Sequence, residues 1–211
     1  LNNISQEADA LFAKISSDCL QVRNKLPDFN SQDEDNKNRI AIAKGNLIVS
    51  FQLAGQMKKN LNKGYLLISL IGLRSLIENY INTKYAFDHP SHKEDFDWTC
   101  AVCKDYFVRG NNPEAWKSGL DNLPIKKRAK EAGLEEIYTE NFVSLCDYTH
   151  MLINPGLLND PVYFKKFTQA AYICTLTTLH DIKEIIREHF NISIPNINTY
   201  EKELISFRDQ I

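Results

Sequence analysis

The run "YLLISLIGLRSLIENYINTKYAF", residues 65–87, constrains this chain more than any other stretch. Its apolar side chains fall on nearly every side of a helix, so the helix it predicts needs neighbours all around it. The oiliest part, residues 65–73, is too short to cross a bilayer, which takes about 20 mostly apolar residues, and Arg74 and Glu78 follow at once. The rest of the chain must therefore wrap it. With 211 residues and 43% apolar side chains, there is enough material for one such domain and its core.

The remaining segments read as that wrapping. Apolar residues three and four apart predict helices over residues 3–26, 35–61, 92–109, 124–133 and 135–154. Residues 160–190 hold the longest periodic segment, with Asp160 as its cap and Pro161 at the first helical position. The pattern breaks at the polar, acidic stretch 27–38, which reads as a loop or linker, and again at 60–64, 109–119, 154–156 and 191–198. Residues 191–211 read as a C-terminal extension with a short helix near 199–209. No stretch alternates at period two long enough to support a sheet. The expectation is an all-α, single-domain bundle of six to eight helices around a central buried helix, residues 65–87.

A formal charge of −2 gives no bulk attraction to nucleic acid or to an anionic membrane. The basic clusters "MKKNLNK" (57–63) and "KKRAK" (126–130) read as solvated helix faces, with no aromatic platform interleaved. A phosphate-contacting patch is the alternative, and its binding would fall steeply with salt. Gly-rich phosphate loops, Gly-x-Ser-x-Gly elbows and HExxH motifs do not occur. The five cysteines at 19, 100, 103, 146 and 174 read as reduced and buried. Together with an N-terminus that lacks a signal-peptide layout, they make the expected location cytoplasmic.

Against this background Arg74 and Glu78 stand out. On a helical wheel they lie about 80° and 120° from Leu66, beside the apolar stripe, and their four-residue spacing allows them to pair. An exposed pair of this kind is worth about 0.2–0.5 kcal/mol, and Arg before Glu is the weaker order. Burial changes the balance, because stripping water from each charge costs several kcal/mol unless other groups complete their hydrogen bonds. The stretch "EEIYTENFVSLCDYTHMLIN" (135–154) offers Tyr138 and His150 for that purpose. One reading is a polar clasp that sets which helices pack together. The other is a pocket floor in which Arg74 holds an anion and His150, with an unperturbed pKa of about 6.5, moves a proton. The candidate catalytic set is Arg74, Glu78 and His150; the candidate pocket-binding residues are Tyr138, Cys146 and Asn154.

Other titratable residues have plainer readings. "CAVC" places Cys100 and Cys103 on one helix face among aromatics, where cysteine serves as a small apolar residue. Joined by Cys146 and His150 they would make a tetrahedral zinc set, but structural zinc pairs usually sit on turns. No metal and no cofactor is expected. His89 and His92 read as a helix cap with solvent-facing rings, and His189 as a cation at a helix C-terminus.

The order Arg74-x-x-x-Glu78 inside an apolar helix, then Trp116-x-x-Gly119, "RAKEAGLEEIY" (128–138) and "NFVSLCDYTH" (141–150), resembles a bacterial helical family known as domain of unknown function 5677. The resemblance covers roughly residues 45–185, and this chain carries Cys146 where that family's helix more often has serine. That family is in turn distantly similar to the HEPN (higher eukaryotes and prokaryotes nucleotide-binding) bundles, many of them dimeric ribonucleases of toxin or phage-defence systems. Their signature, Arg, then four to six residues, then His on one helix, starts from none of the arginines here; Arg187 and His189 are only two apart. The resemblance implies a cytoplasmic accessory or interaction module of a defence or toxin–antitoxin system. The rival is a HEPN-like endoribonuclease in which Arg74 and His150 meet across two helices. The expected partners are a second copy of the chain or another protein, with RNA as the nucleic-acid alternative and no membrane.

Overall fold

Among the described residues each long apolar stripe becomes a helix, and three of these helices start where a side chain satisfies their first amides. The computed structural model describes residues 5–89, 125–149, 160–194 and 200–208. Seven α-helices are described: α1 Gln6–Asn24, α2 Glu34–Asn62, α3 Leu66–Asp88, α4 Ile125–Glu131, α5 Val143–Thr149, α6 Pro161–His189 and α7 Glu201–Arg208. A 3-10 turn at Phe29–Ser31 leads into α2, and a π-helical turn at Ile137–Phe142 leads into α5. The Ser5 hydroxyl accepts from the Ala8 amide at 3.2 Å, and the Asp33 carboxylate from the Asn36 amide at 2.8 Å. Asp160 accepts from the amides of Val162 and Tyr163 at 2.8 and 3.3 Å, with Pro161 in the first turn as expected. These bonds satisfy amides that have no carbonyl partner inside their helix.

The helix ends follow an equally local logic. After α2, Gly64 takes φ +77°, so that Tyr65 N–H reaches the Asn60 carbonyl at 2.9 Å. After α4, Gly133 takes φ +69° and Leu134 N–H reaches the Ala129 carbonyl at 2.7 Å. Both are left-handed caps that favour glycine because it has no Cβ. α6 ends the same way on Asn191 at φ 49°, with Ile192 N–H on the Arg187 carbonyl at 2.9 Å. Asparagine is the residue that best tolerates this conformation after glycine.

α3 is the hub of this all-α, single-domain bundle. It packs against α2, α4, α5, α6 and the π-helical turn, while α1 lies on α2 and α6. Leu66, Leu70, Leu73, Leu76, Ile77 and Ile81 are buried along it. The covering is not complete: Ile68 and Ile71 are 56% and 47% exposed. At Gly72 the neighbouring helix comes so close that a Cβ would meet Met57 Cγ at 2.8 Å. No helix among the described residues is long and apolar enough to cross a membrane.

A polar ladder also joins α2 to α3. The Asn79 amide donates to Ser50 Oγ at 2.6 Å and to the Asn46 carbonyl at 3.2 Å. The Asn46 amide donates to Thr83 Oγ1 at 2.7 Å, and that hydroxyl donates to the Asn79 carbonyl at 2.7 Å. Ser50 and Thr83 are fully buried, so each of these bonds replaces one that water would otherwise make.

Two segments differ from their sequence reading. The polar stretch 27–38 is a connection only as far as Asp33; its second half is the capped first turn of α2. The C-terminal stretch, expected as an extension, is part of the core, with Ile192, Ile194, Tyr200 and Leu204 buried. The helix expected over 92–109 lies outside the described residues.

Candidate functional site

The expected site centres on one polar stripe of α3, carrying Arg74, Glu78 and Asn82 at four-residue intervals. The stripe faces the side of the bundle occupied by α4, the π-helical turn and α5. Arg74 is half-buried, and its guanidinium carbon lies 5.0 Å from the centre of the Phe142 ring. Phe142 stacks on Tyr138, with ring centres 5.4 Å apart and planes 21° from parallel. Tyr138 and Phe142 are four apart and share one face, and across this wide turn the Val143 amide reaches back to the Tyr138 carbonyl.

The Arg74–Glu78 pair does not form. No ion pair or hydrogen bond joins the two among the described residues; the guanidinium takes the aromatic face instead, and its buried Nε has no acceptor. The physical reason is the order of the residues. An arginine one turn before a glutamate is poorly placed to reach it, whereas the Phe142 ring offers a cation–π contact. Tyr138 therefore joins the group through the stacked ring and not as a partner for the Arg74–Glu78 pair. Cys146 is half-buried on α5 and packs against the core. His150, Asn154, Cys100, Cys103 and His92 lie outside the described residues.

One member of the basic cluster also departs from its reading. Lys126, Lys127 and Lys130 are exposed, but Arg128 is 5% exposed and donates to the Asn82 side-chain carbonyl at 2.6 Å. The half-turn spacing of "KKRAK" puts that one side chain inward, beside buried Ala129.

A second polar group went unread in the sequence. Lys183 on α6 has no solvent exposure; its Nζ donates to the Tyr200 hydroxyl at 2.6 Å and pairs with Glu184 at 2.7 Å. Arg187 holds the same glutamate from the other side at 2.6 Å. Burial alone would raise the Glu184 carboxyl, but hydrogen bonds from Arg187 and Lys183 hold it below its ordinary value. Burial, and then the charge of Asp18, push the Tyr200 phenol far up, so it stays neutral and can accept from the lysine. The legible signal was the position of Lys183, between Ile182 and Ile186 on the buried face of α6.

The three described histidines sit against carboxylates or aromatic rings. His180 sits between two carboxylates, with Nδ1 3.2 Å from Asp181 and Nε2 3.8 Å from Glu201 of α7. His89, expected to face solvent, is half-buried with its ring 4.6 Å from that of Tyr85. His189 lies 4.8 Å from the Phe87 ring. Burial, and then the charge of Arg39, lower its pKa, so Arg187 and not His189 supplies the cation at the end of α6.

Among the described residues no group of three or more His, Cys, Asp or Glu side chains could hold a metal ion. No family model, no curated protein and no solved structure matches the chain.

Proposed function

We propose that this chain is a cytoplasmic helical interaction module in which Arg74 receives an anionic group of a partner. One observation carries the reading: a half-buried guanidinium, oriented by the Phe142 ring, whose neighbouring carboxylate at Glu78 does not neutralise it. A structural arginine at such a depth is normally paired, because an unmet buried charge or donor destabilises the fold. An incoming carboxylate or phosphate would complete the fork of donors that Arg74 leaves open. The bacterial defence or toxin–antitoxin setting, and self-association as one form of partnership, come from the resemblance stated above.

The test uses labelled single-stranded RNA and a polyglutamate peptide as anionic probes, read by fluorescence anisotropy. The parent is expected to bind at least one of them, Arg74→Gln to bind it at least tenfold more weakly, and Lys126→Gln to match the parent. Equal binding by parent and Arg74→Gln contradicts the reading. Incubation with total RNA addresses the HEPN-like ribonuclease: cleavage by the parent that both Arg74→Gln and His150→Ala lose would replace the module with an enzyme.

A further inference from the structure

α1 and α2 enclose a groove of about 280 Å³, away from the Arg74 stripe. Leu47 and Cys19 form a floor that is 2% and 3% exposed, Phe51 a wall, and Leu20 and Ile48 a rim that is 47% and 37% exposed. Burial pushes the Cys19 thiol up to about 12, so the floor is a neutral, apolar surface and not a nucleophile. Two polar side chains interrupt this lining, Arg23 and Gln52. Arg23 is half-buried, its Nε is sealed from solvent without an acceptor, and no carboxylate among the described residues pairs with it.

We propose that this groove binds a small apolar monocarboxylate, its tail against Leu47, Ile48 and Phe51 and its carboxylate on the Arg23 guanidinium beside Gln52. Charge complementarity selects the class. A neutral molecule would leave the guanidinium unmet, a cation would be repelled, and a dianion would bring more charge than one arginine offsets. The planar fork of donors on arginine matches a carboxylate in particular. Size narrows it further: the volume of about 280 Å³ falls just below the usual range for ligand pockets, about 300–1,000 Å³, which suits a medium-chain or arylalkyl acid and not a long acyl lipid.

Titration calorimetry of the full chain with octanoate and 4-phenylbutyrate, against 1-octanol and octylamine, tests this. Saturable one-site binding of either acid is expected, at least tenfold tighter than 1-octanol, with octylamine not binding. Arg23→Gln should lose tenfold or more while Lys126→Gln binds as the parent does. Ile48→Trp, at the partly exposed rim, should block the groove with the far-ultraviolet circular dichroism unchanged. Should Arg23→Gln fail to fold, Arg23→Lys with weakened binding and native circular dichroism serves instead. Absence of saturable binding, equal affinity for 1-octanol, or undiminished binding by a folded Arg23 variant overturns the proposal.

Discussion

Lys183 donates a 2.6 Å hydrogen bond to the Tyr200 hydroxyl at a point with no solvent exposure, and so fastens α6 to the residue that begins the last helical segment. Glu184, held from the other side by Arg187, pairs with the same lysine inside the bundle. Removing it leaves a cavity, an unmet phenol and a carboxylate short of one partner. Lys183→Ala should therefore cost about 3–5 kcal/mol in urea denaturation, the usual effect of breaking a buried pair. Tyr200→Phe removes the hydroxyl that accepts from Lys183 and faces Asp18, and should cost about 1–3 kcal/mol. A Lys183→Ala variant as stable as the parent would show that the contact is dispensable.

The ladder between α2 and α3 predicts a coupling. Asn79→Ala strips the buried Ser50 hydroxyl of its donor and should cost about 1–3 kcal/mol. Ser50→Ala in the same background should then do less than it does alone, by about 0.5–3 kcal/mol of interaction energy. Simple additivity in a double-mutant cycle would mean the two side chains act separately.

Backbone conformation separates two glycines with equally open surroundings. Gly133 sits at φ +69° and Gly45 inside α2, and a Cβ at either would meet nothing within 4 Å. Gly133→Ala should lower stability by about 1–2 kcal/mol, the cost of the left-handed region for an L-residue. Gly45→Ala should raise it by up to about 1 kcal/mol through helix propensity. Thermal melts of the two variants should shift in opposite directions.

Stability should also depend on pH in a definite direction. Burial raises Cys19 from 9.0 to about 12, Cys174 from 9.0 to about 11 and Tyr80 from 10.0 to about 12. A raised folded-state value means that the stabilisation is fully present below the unfolded value and lost as pH rises toward the folded one. The urea midpoint should hold up to pH 9 and fall from there towards pH 12. Cys19→Ala should flatten that fall. Glu184 works at the other end: its lowered pKa gives stability present above 4.5 and lost as pH drops below it. A midpoint that stays level from pH 8 to 11 would contradict the alkaline half.

The helices were legible because their causes are local. Asp160 and Pro161 mark the start of α6, Gly133 the end of α4, and three- and four-residue spacing the buried faces. The oily run at 65–87 was rightly read as the hub, since only a helix with neighbours on several sides can carry that pattern. The site was less legible because side-chain direction is decided by tertiary neighbours. Nothing in the spacing of Arg74 and Glu78 reveals that a π-helical turn 60-odd residues later presents Phe142 to the guanidinium. Lys183 shows the opposite case. Its place between Ile182 and Ile186 marked it as buried, but a lysine in a charged-looking stretch reads as solvated until Tyr200 is seen against it.

The sharpest test of Arg74 as an anion receptor is its own Nε–H resonance in a heteronuclear spectrum of arginine side chains, assigned by its absence in Arg74→Lys. On addition of inorganic phosphate at constant ionic strength, that signal should move saturably while the signal of Arg187, already held by Glu184, stays in place. An Arg74 signal that stays still, or that moves only as much as every other arginine, would contradict the account.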